Sequence, residues 1–383
     1  MTRRVPRQWL SLGWLLVATP VLVAPTHLAF AQAAPAQTDR LPARISDADF
    51  WAMVDTGGTS SISEPGGYFR IADNFTSNER EIGQLYTMLR ERGTRGGVYM
   101  GVGPEQNFTY IAAIRPQMAF IVDIRRQAVM QHLMFKAIFE MSADRADFIS
   151  MLFSKPRPQG VDSSTSIQDM WNAFWNIRSD SAMWRGNYAR ITELLTRTHG
   201  FRLATDELDA LKWVFDNFFA YGPVITTRAG SGGGGGVNQT TFADLTGYSP
   251  DASGNPRSFL SSEENYLYVR DLHTRNLIVP VSGDFGGPKT IRAIGSWLQS
   301  RGAILSAFYV SNVEQYLFQD GKAQAFYDNV SRLPVNEASV FIRPYSLRRY
   351  GFSIESLCPI GTFLEAARAG QAPSNNAALS CPR

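Results

Sequence analysis

Two stretches decide the fold: Val98-Tyr99-Met100-Gly101-Val102-Gly103-Pro104, and after it Met118-Ala119-Phe120-Ile121-Val122-Asp123. Each is a short apolar run that stops at a glycine turn or an acid, as a buried strand does. The residues between them, 105–115, carry a helical pattern that Pro116 stops. Upstream, Thr76 with Glu79 three positions on predicts a capping box opening a helix to about residue 92, with Gly93 ending it. Downstream, 126–142 has the period of an amphipathic helix. Helix, strand, helix, strand, helix predicts a parallel sheet covered on both faces.

The same alternation resumes late in the chain. Strands are predicted at 277–281, 304–310 and 339–342. Helices are predicted at 288–300, with Pro288 in the first turn, and at 320–331. Between the two halves, 143–220 reads as a helical insertion with periodicity near 145–153, 167–178, 183–198 and 205–219. Its Trp171, Trp175, Trp184 and Trp213 read as packing residues. A glycine-rich loop, 230–236, follows. Its run of five glycines lacks the spacing and the Lys of a phosphate-binding loop.

The ends of the chain speak of location. Arg3, Arg4 and Arg7 precede an almost wholly apolar stretch, 9–23, and Ala29-Phe30-Ala31 supplies small residues before Gln32. That is the pattern of a secretory signal peptide over 1–31, followed by a leader over 32–75. The expected location is periplasmic or extracellular, with membrane contact only through an uncleaved N-terminus. The full chain has 383 residues, 37 Lys and Arg, and 34 Asp and Glu. Removing the three N-terminal arginines leaves 34 basic residues against the 34 acidic ones. A balanced chain without a basic run offers no footprint for nucleic acid. The only cysteines, Cys358 and Cys381, are expected to bridge in an oxidising compartment and close the 358–383 tail.

Ligands in open α/β sheets sit at the carboxyl ends of the strands. After the first strand, Gly101 and Gly103 permit close backbone approach, and Glu105 and Asn107 stand where a helix begins. A dinucleotide fingerprint would have a third glycine where Gln106 stands. Asp123, at the end of the second strand, has the chemistry to accept hydrogen bonds from ribose hydroxyls. It would otherwise pair with Arg125 or Arg126, or cap the next helix. These positions resemble the nucleoside-binding half of class I S-adenosylmethionine-dependent methyltransferases, over about residues 76–142 with continuation from 277 to 342. The resemblance implies a Rossmann-like three-layer α/β sandwich, S-adenosylmethionine as cofactor, the glycine loop around it and Asp123 on its ribose. Where that family carries an acid two positions before the first glycine, this chain has Tyr99. The runs 98–126 and 308–316 also look like those of uncharacterised bacterial proteins.

Two further strand ends complete the expected site. The loop Gly283-Asp284-Phe285-Gly286-Gly287-Pro288-Lys289-Thr290 nearly spells a P-loop, but Pro288 has no N–H to offer a phosphate. Asp284 is expected as acid or base, and Lys289 as an anion contact. Ser311 and Glu314 have the spacing of a second capping box. The alternative role of Glu314 is a general base, with Asn312 binding the ligand and Tyr309 and Tyr316 stacking or packing. No metal is expected, because His132, His199 and His273 are not at ligand spacing. The absence of a GxSxG elbow argues against an ordinary hydrolase. The expectation is therefore an exported methyltransferase-like protein that binds a nucleoside-type small molecule. The alternative is a non-catalytic binder of a ligand or protein on the same fold.

Overall fold

The computed structural model describes residues 41–67, 74–79, 81–92, 96–228, 240–343 and 357–369. These lie in the unit Thr38–Arg383. The expected signal peptide, the glycine-rich loop 230–236 and Cys381 lie outside the described residues. Among those described, no helix is long and apolar enough to cross a membrane.

Helix α1, Asp47–Val54, starts at Ser46, whose hydroxyl accepts from Asp49 N. Helix α2, Ile82–Glu91, precedes β1, Val98–Gly101. Then come α3, Gln106–Ile114, β2, Met118–Asp123, and α4, Arg126–Met141. The insertion follows as α5, Arg145–Phe153, α6, Ile167–Trp175, α7, Ser181–Glu193, and α8, Thr205–Tyr221. Short α9, Phe242–Gly247, and α10, Glu263–Thr274, lead to β3, Ile278–Ser282. The chain ends with α11, Thr290–Gln299, β4, Leu305–Tyr309, α12, Val313–Gln319, α13, Ala323–Val330, β5, Val340–Ile342, β6, Leu357–Pro359, and α14, Ile360–Arg368.

The six strands form one mixed sheet in the order β3-β2-β1-β4-β5-β6. The first five are parallel, and β6 runs antiparallel to β5. Val98, Tyr99 and Met100 of the central strand are fully buried, as a strand covered on both faces requires. Pro280 sits inside β3 because β3 is an edge, so its missing N–H removes no ladder bond. That edge is not left open. Glu64 N donates to Ser282 O at 2.8 Å, and Ser282 N donates to Ser63 Oγ at 3.2 Å.

Several expectations need correction. Residues 41–67 are no loose leader, since Ile45, Phe50, Val54 and Ile62 are buried and Ile45 N donates to Arg275 O. Thr76 and Glu79 do not cap α2, which begins later, at Ile82. Helix α11 begins at Thr290, beyond Pro288, and α12 begins at Val313, after an N-cap, Asn312, whose side chain makes no capping bond. The antiparallel β6 carries too few residues to read as a strand. Trp171 is buried and Trp213 packs on Phe75, 4.9 Å between ring centroids, but Trp175 is exposed.

Helix α4 is buried nearly all round, between the sheet and the insertion. Its Lys136 is buried in that core, and its charge is partnered. Nζ donates to Asn276 Oδ1 at 2.5 Å, to His273 O at 2.8 Å and to Glu140 Oε1 at 2.5 Å. Glu140 bonds His199 Nε2, and His199 Nδ1 bonds Asp47 on α1. This chain of groups ties α1 and the end of the insertion to the core. Removing one partner of a buried ion pair leaves the other uncompensated. Lys136→Met is therefore expected to cost about 3–5 kcal/mol in denaturant unfolding. A loss under about 1 kcal/mol would show that the network contributes little.

Candidate functional site

A cavity of about 560 Å³ opens at the carboxyl ends of β1, β2, β3 and β4. This volume lies in the range of small-molecule sites. Its place follows from the strand order. The chain passes from β3, at one edge, to β4, on the other side of β1, so the connections on the two sides of the β1–β4 junction diverge. The opposite wall is the segment 74–78 together with Thr227 and Arg228. Thr227 Oγ1 donates to Thr76 O at 2.7 Å, and Asn74 N donates to Thr227 O.

Of the expected site residues, Gly103, Asp123, Asp284 and Asn312 line this cavity, whereas Gly101, Glu105, Asn107 and Glu314 do not. Asn107 holds up the glycine loop from beneath. Its Nδ2 donates to the carbonyls of Val102, Gly103 and Pro104, and its Oδ1 accepts from Tyr99 Oη at 2.7 Å. Gly101 is there to make room. A Cβ on it would stand 2.0 Å from Asn107 Oδ1. Gly103 has φ +80°, which glycine adopts readily. Its carbonyl also bonds His132 Nε2 at 2.9 Å. Burial pushes the His132 pKa down to about 4, so the ring is neutral and donates that bond.

Asp123 faces the cavity and is also paired. Arg125 N and Nε lie 2.9 and 3.2 Å from Oδ1, and Nη2 lies 3.3 Å from Oδ2. A ligand hydroxyl must share the carboxylate with this guanidinium or displace it. Asp284 accepts from Gly286 N and from Lys322 Nζ at 2.6 Å. It is held as an ion pair rather than poised as a base. Glu314 is 2% exposed and accepts from Arg343 Nε at 2.8 Å, so it anchors α12 to the residue that follows β5 instead of reaching a ligand.

The P-loop-like turn has a different use. Asp284 N and Lys289 N donate to the two carboxylate oxygens of Glu64, each at 3.1 Å, and Thr290 Oγ1 adds a third bond. Lys289 Nζ donates to Ser63 O rather than lining the cavity. The turn thus holds a carboxylate of the chain's own N-terminal segment.

Two buried acids bond to residues of the cavity wall, and sequence reading gave Glu79 only a capping role and Glu105 a ligand contact. Glu79 is buried and accepts from Tyr309 Oη at 2.9 Å, and burial raises its pKa to about 7. Glu105 is buried too. Its Oε1 accepts from Ser77 N, its Oε2 has no hydrogen-bond partner among the described residues, and burial raises its pKa to about 8. Only the short polar run around Glu79 hinted at that acid, and that run reads equally well as a cap. Among the described residues, no cluster of three His, Cys, Asp or Glu side chains is arranged to hold a metal.

The class defined so far is a mixed α/β protein with a crevice pocket at its strand ends. A family model described as a domain of unknown function (DUF7790) matches residues 74–201 and 240–359, and the chain belongs to that family. No curated protein matches it. Asp123, Tyr309 and Ser311 fall in the matched segments, while Thr227 and Arg228 fall between them.

The buried acid sets a pH dependence. The Glu105 pKa is about 8 when folded against an ordinary 4.5. Its contribution to stability is full below about pH 4.5 and is lost as the pH rises through about 8. Glu105→Gln should then melt higher than the parent at about pH 9 and gain nothing at about pH 5. Equal melting differences at both values would show that Glu105 ionises normally.

Proposed function

We propose that this protein binds a nucleoside-type small molecule in the crevice pocket, on a Rossmann-like, methyltransferase-like core, outside the cytoplasm. The observation that carries the reading is Asp123. It is an acid at the end of β2, lining a ligand-sized cavity beside the glycine loop after β1. That is where an α/β sheet presents an acceptor to ribose hydroxyls. The strand order, with its switch between β1 and β4, agrees with such a core.

S-adenosylmethionine is the first ligand to try, and the residues fit only its nucleoside half. The place of an acid for the methionine half is taken by Tyr99, whose hydroxyl is spent on Asn107. With Asp284 and Glu314 both ion-paired, binding is the better supported part of the reading, and no methyl-transfer step is derived. The non-catalytic alternative draws its support from the same two facts.

Calorimetry of residues 32–383 with S-adenosylmethionine and S-adenosylhomocysteine tests this. Binding of either is expected to weaken about 10- to 100-fold in Asp123→Ala, the worth of a hydrogen bond to a charged group. No binding of either, or unchanged affinity in the variant, would sink the proposal. The export reading has its own check. Cys358 is buried on β6. Protein recovered from the periplasm should give a Cys358–Cys381 linked peptide by mass spectrometry without reductant. Recovery of both as alkylatable thiols would count against it.

A further inference from the structure

A π-helical turn, Leu194–Thr198, follows α7, and His199 N closes it on Leu194 O at 2.9 Å. Single π-turns recur at functional positions. Here the turn delivers His199 to the seam between the insertion and α1. Its ring lies on Phe201, 5.1 Å between centroids, and Phe201 stacks in turn on Phe50 and Trp51 of α1. Nδ1 is 2.9 Å from Asp47 Oδ1, at the start of α1, and Nε2 is 2.8 Å from Glu140 Oε2, on α4.

Those two contacts fix the charge of the ring. A carboxylate only accepts, and a neutral imidazole has one N–H to give. Carboxylates on both ring nitrogens therefore require the imidazolium. Burial opposes ionisation of Asp47 and Glu140, but their bonds to Asn276, His199 and Lys136 outweigh it and hold both below the ordinary carboxylate range. Burial opposes the charge on His199 as well. The Glu140 and Asp47 carboxylates outweigh it, so the pKa lies above the ordinary 6.5. The other charges packed around the seam are balanced. Lys136 on α4 works against His199 and is itself bonded to Glu140. Burial chiefly, and Arg44 ahead of α1 in smaller part, disfavour the Lys136 charge. Arg275, after α10, pairs with Asp271, and Arg197 on the π-turn pairs with Glu193.

Losing a proton leaves the ring one N–H for two carboxylates. The Glu140 side chain is 12% exposed and that of Asp47 is 42% exposed. Water solvates a released Asp47 more readily than a released Glu140, so the remaining proton stays on Nε2. We propose that His199 is a pH-sensitive latch: as the imidazolium it ties α1 to the insertion, and as the neutral ring it keeps Glu140 and releases Asp47. The tie is complete below about pH 6.5 and is lost as the pH rises through the higher folded value. The released element is continuous with the cavity wall. Ile62 N and Ser63 N donate to Met53 O at the end of α1, and Ser63 Oγ donates to Val54 O. The next residue, Glu64, accepts from Asp284 N and Lys289 N, and Gly283, Asp284 and Phe285 line the cavity. As the pH rises, α1 loosens and the strap behind that wall loosens with it. The inference stands on the N-terminal segment and is independent of nucleoside binding.

The test is a pH series on the full chain with two readouts. A long-range proton–nitrogen correlation spectrum of histidine-labelled protein should show both His199 nitrogens protonated at about pH 6 and one at about pH 9. Hydrogen exchange of peptides from 47–64, corrected for the intrinsic effect of pH, should quicken about tenfold over that range, the worth of one hydrogen bond to a charged group. Peptides from β2 should not follow. His199→Gln does not titrate and can donate to one carboxylate only, so 47–64 should exchange at the fast level throughout. Asp47→Asn can accept from a protonated Nδ1 or donate to a bare one, so the pH response should vanish at the slow level. The proposal is overturned by a singly protonated ring at about pH 6. Exchange of 47–64 that is constant, or that changes in step with β2, also overturns it, as does an Asp47→Asn protein that responds like the parent. Should His199→Gln fail to fold, the spectrum and Asp47→Asn decide.

Discussion

The return of the chain across β1 is the constraint on which the rest depends. Three parallel strands are laid outward, β1 to β2 to β3, and the chain must then come back to place β4 on the free side of β1. Right-handed crossovers put the outgoing and returning connections on opposite faces of the sheet. Where the two directions part, the strand ends cannot be covered by either set of helices. The crevice is thus a consequence of topology, and the side chains that fill or line it are a second, separate choice. Gly103, Asp123, Asp284 and Ser311 come from four different strand ends and are brought to one cavity by this step alone.

The same constraint explains why α4 carries so much. The passage from β2 to β3 is long, and it holds α4 through α10. An insertion of that size must lie on the sheet somewhere, and α4 becomes the layer between. A helix covered on both sides has no solvent face, so its polar residues need internal partners. Lys136 finds Asn276, Glu140 and the His273 carbonyl, and His132 finds the Gly103 carbonyl. One buried helix therefore steadies the glycine loop at one point and the N-terminal helix α1 at another.

Much of the sheet was legible in the sequence, because buried parallel strands are short apolar runs with glycine or acid at their ends. β2 was read to the residue where it stops, Asp123, and the expected strands at 98–100, 277–281, 304–310 and 339–342 all have counterparts. The edges were not legible. β6 is a three-residue strand, and α1 lies where the composition suggested a leader. Helix starts misled for one physical reason. A Ser or Thr three residues before an acid caps a helix only if the chain turns there, and at Thr76 and Ser311 it does not. Glu79 was freed from its expected cap by that error, and burial of an acid leaves no periodic trace.

The site residues divide along a similar line. Glycine loops, an acid after a strand and a Lys-Thr pair before a helix are patterns that mark anion- or nucleoside-binding turns, because they expose backbone N–H groups and room. A protein can satisfy those same groups from within. Here Asn107 fills the space under Gly101, Arg125 engages Asp123, and Glu64 sits on the N–H groups of the 283–290 turn. Pattern reading locates such turns correctly and cannot tell an internal partner from a ligand, since both use the same atoms. The Tyr309 and Glu79 side chains show the converse. They belong to segments far apart in the chain and share no spacing, yet Tyr309 in the cavity wall donates to the buried Glu79 carboxylate, a contact that only coordinates carry.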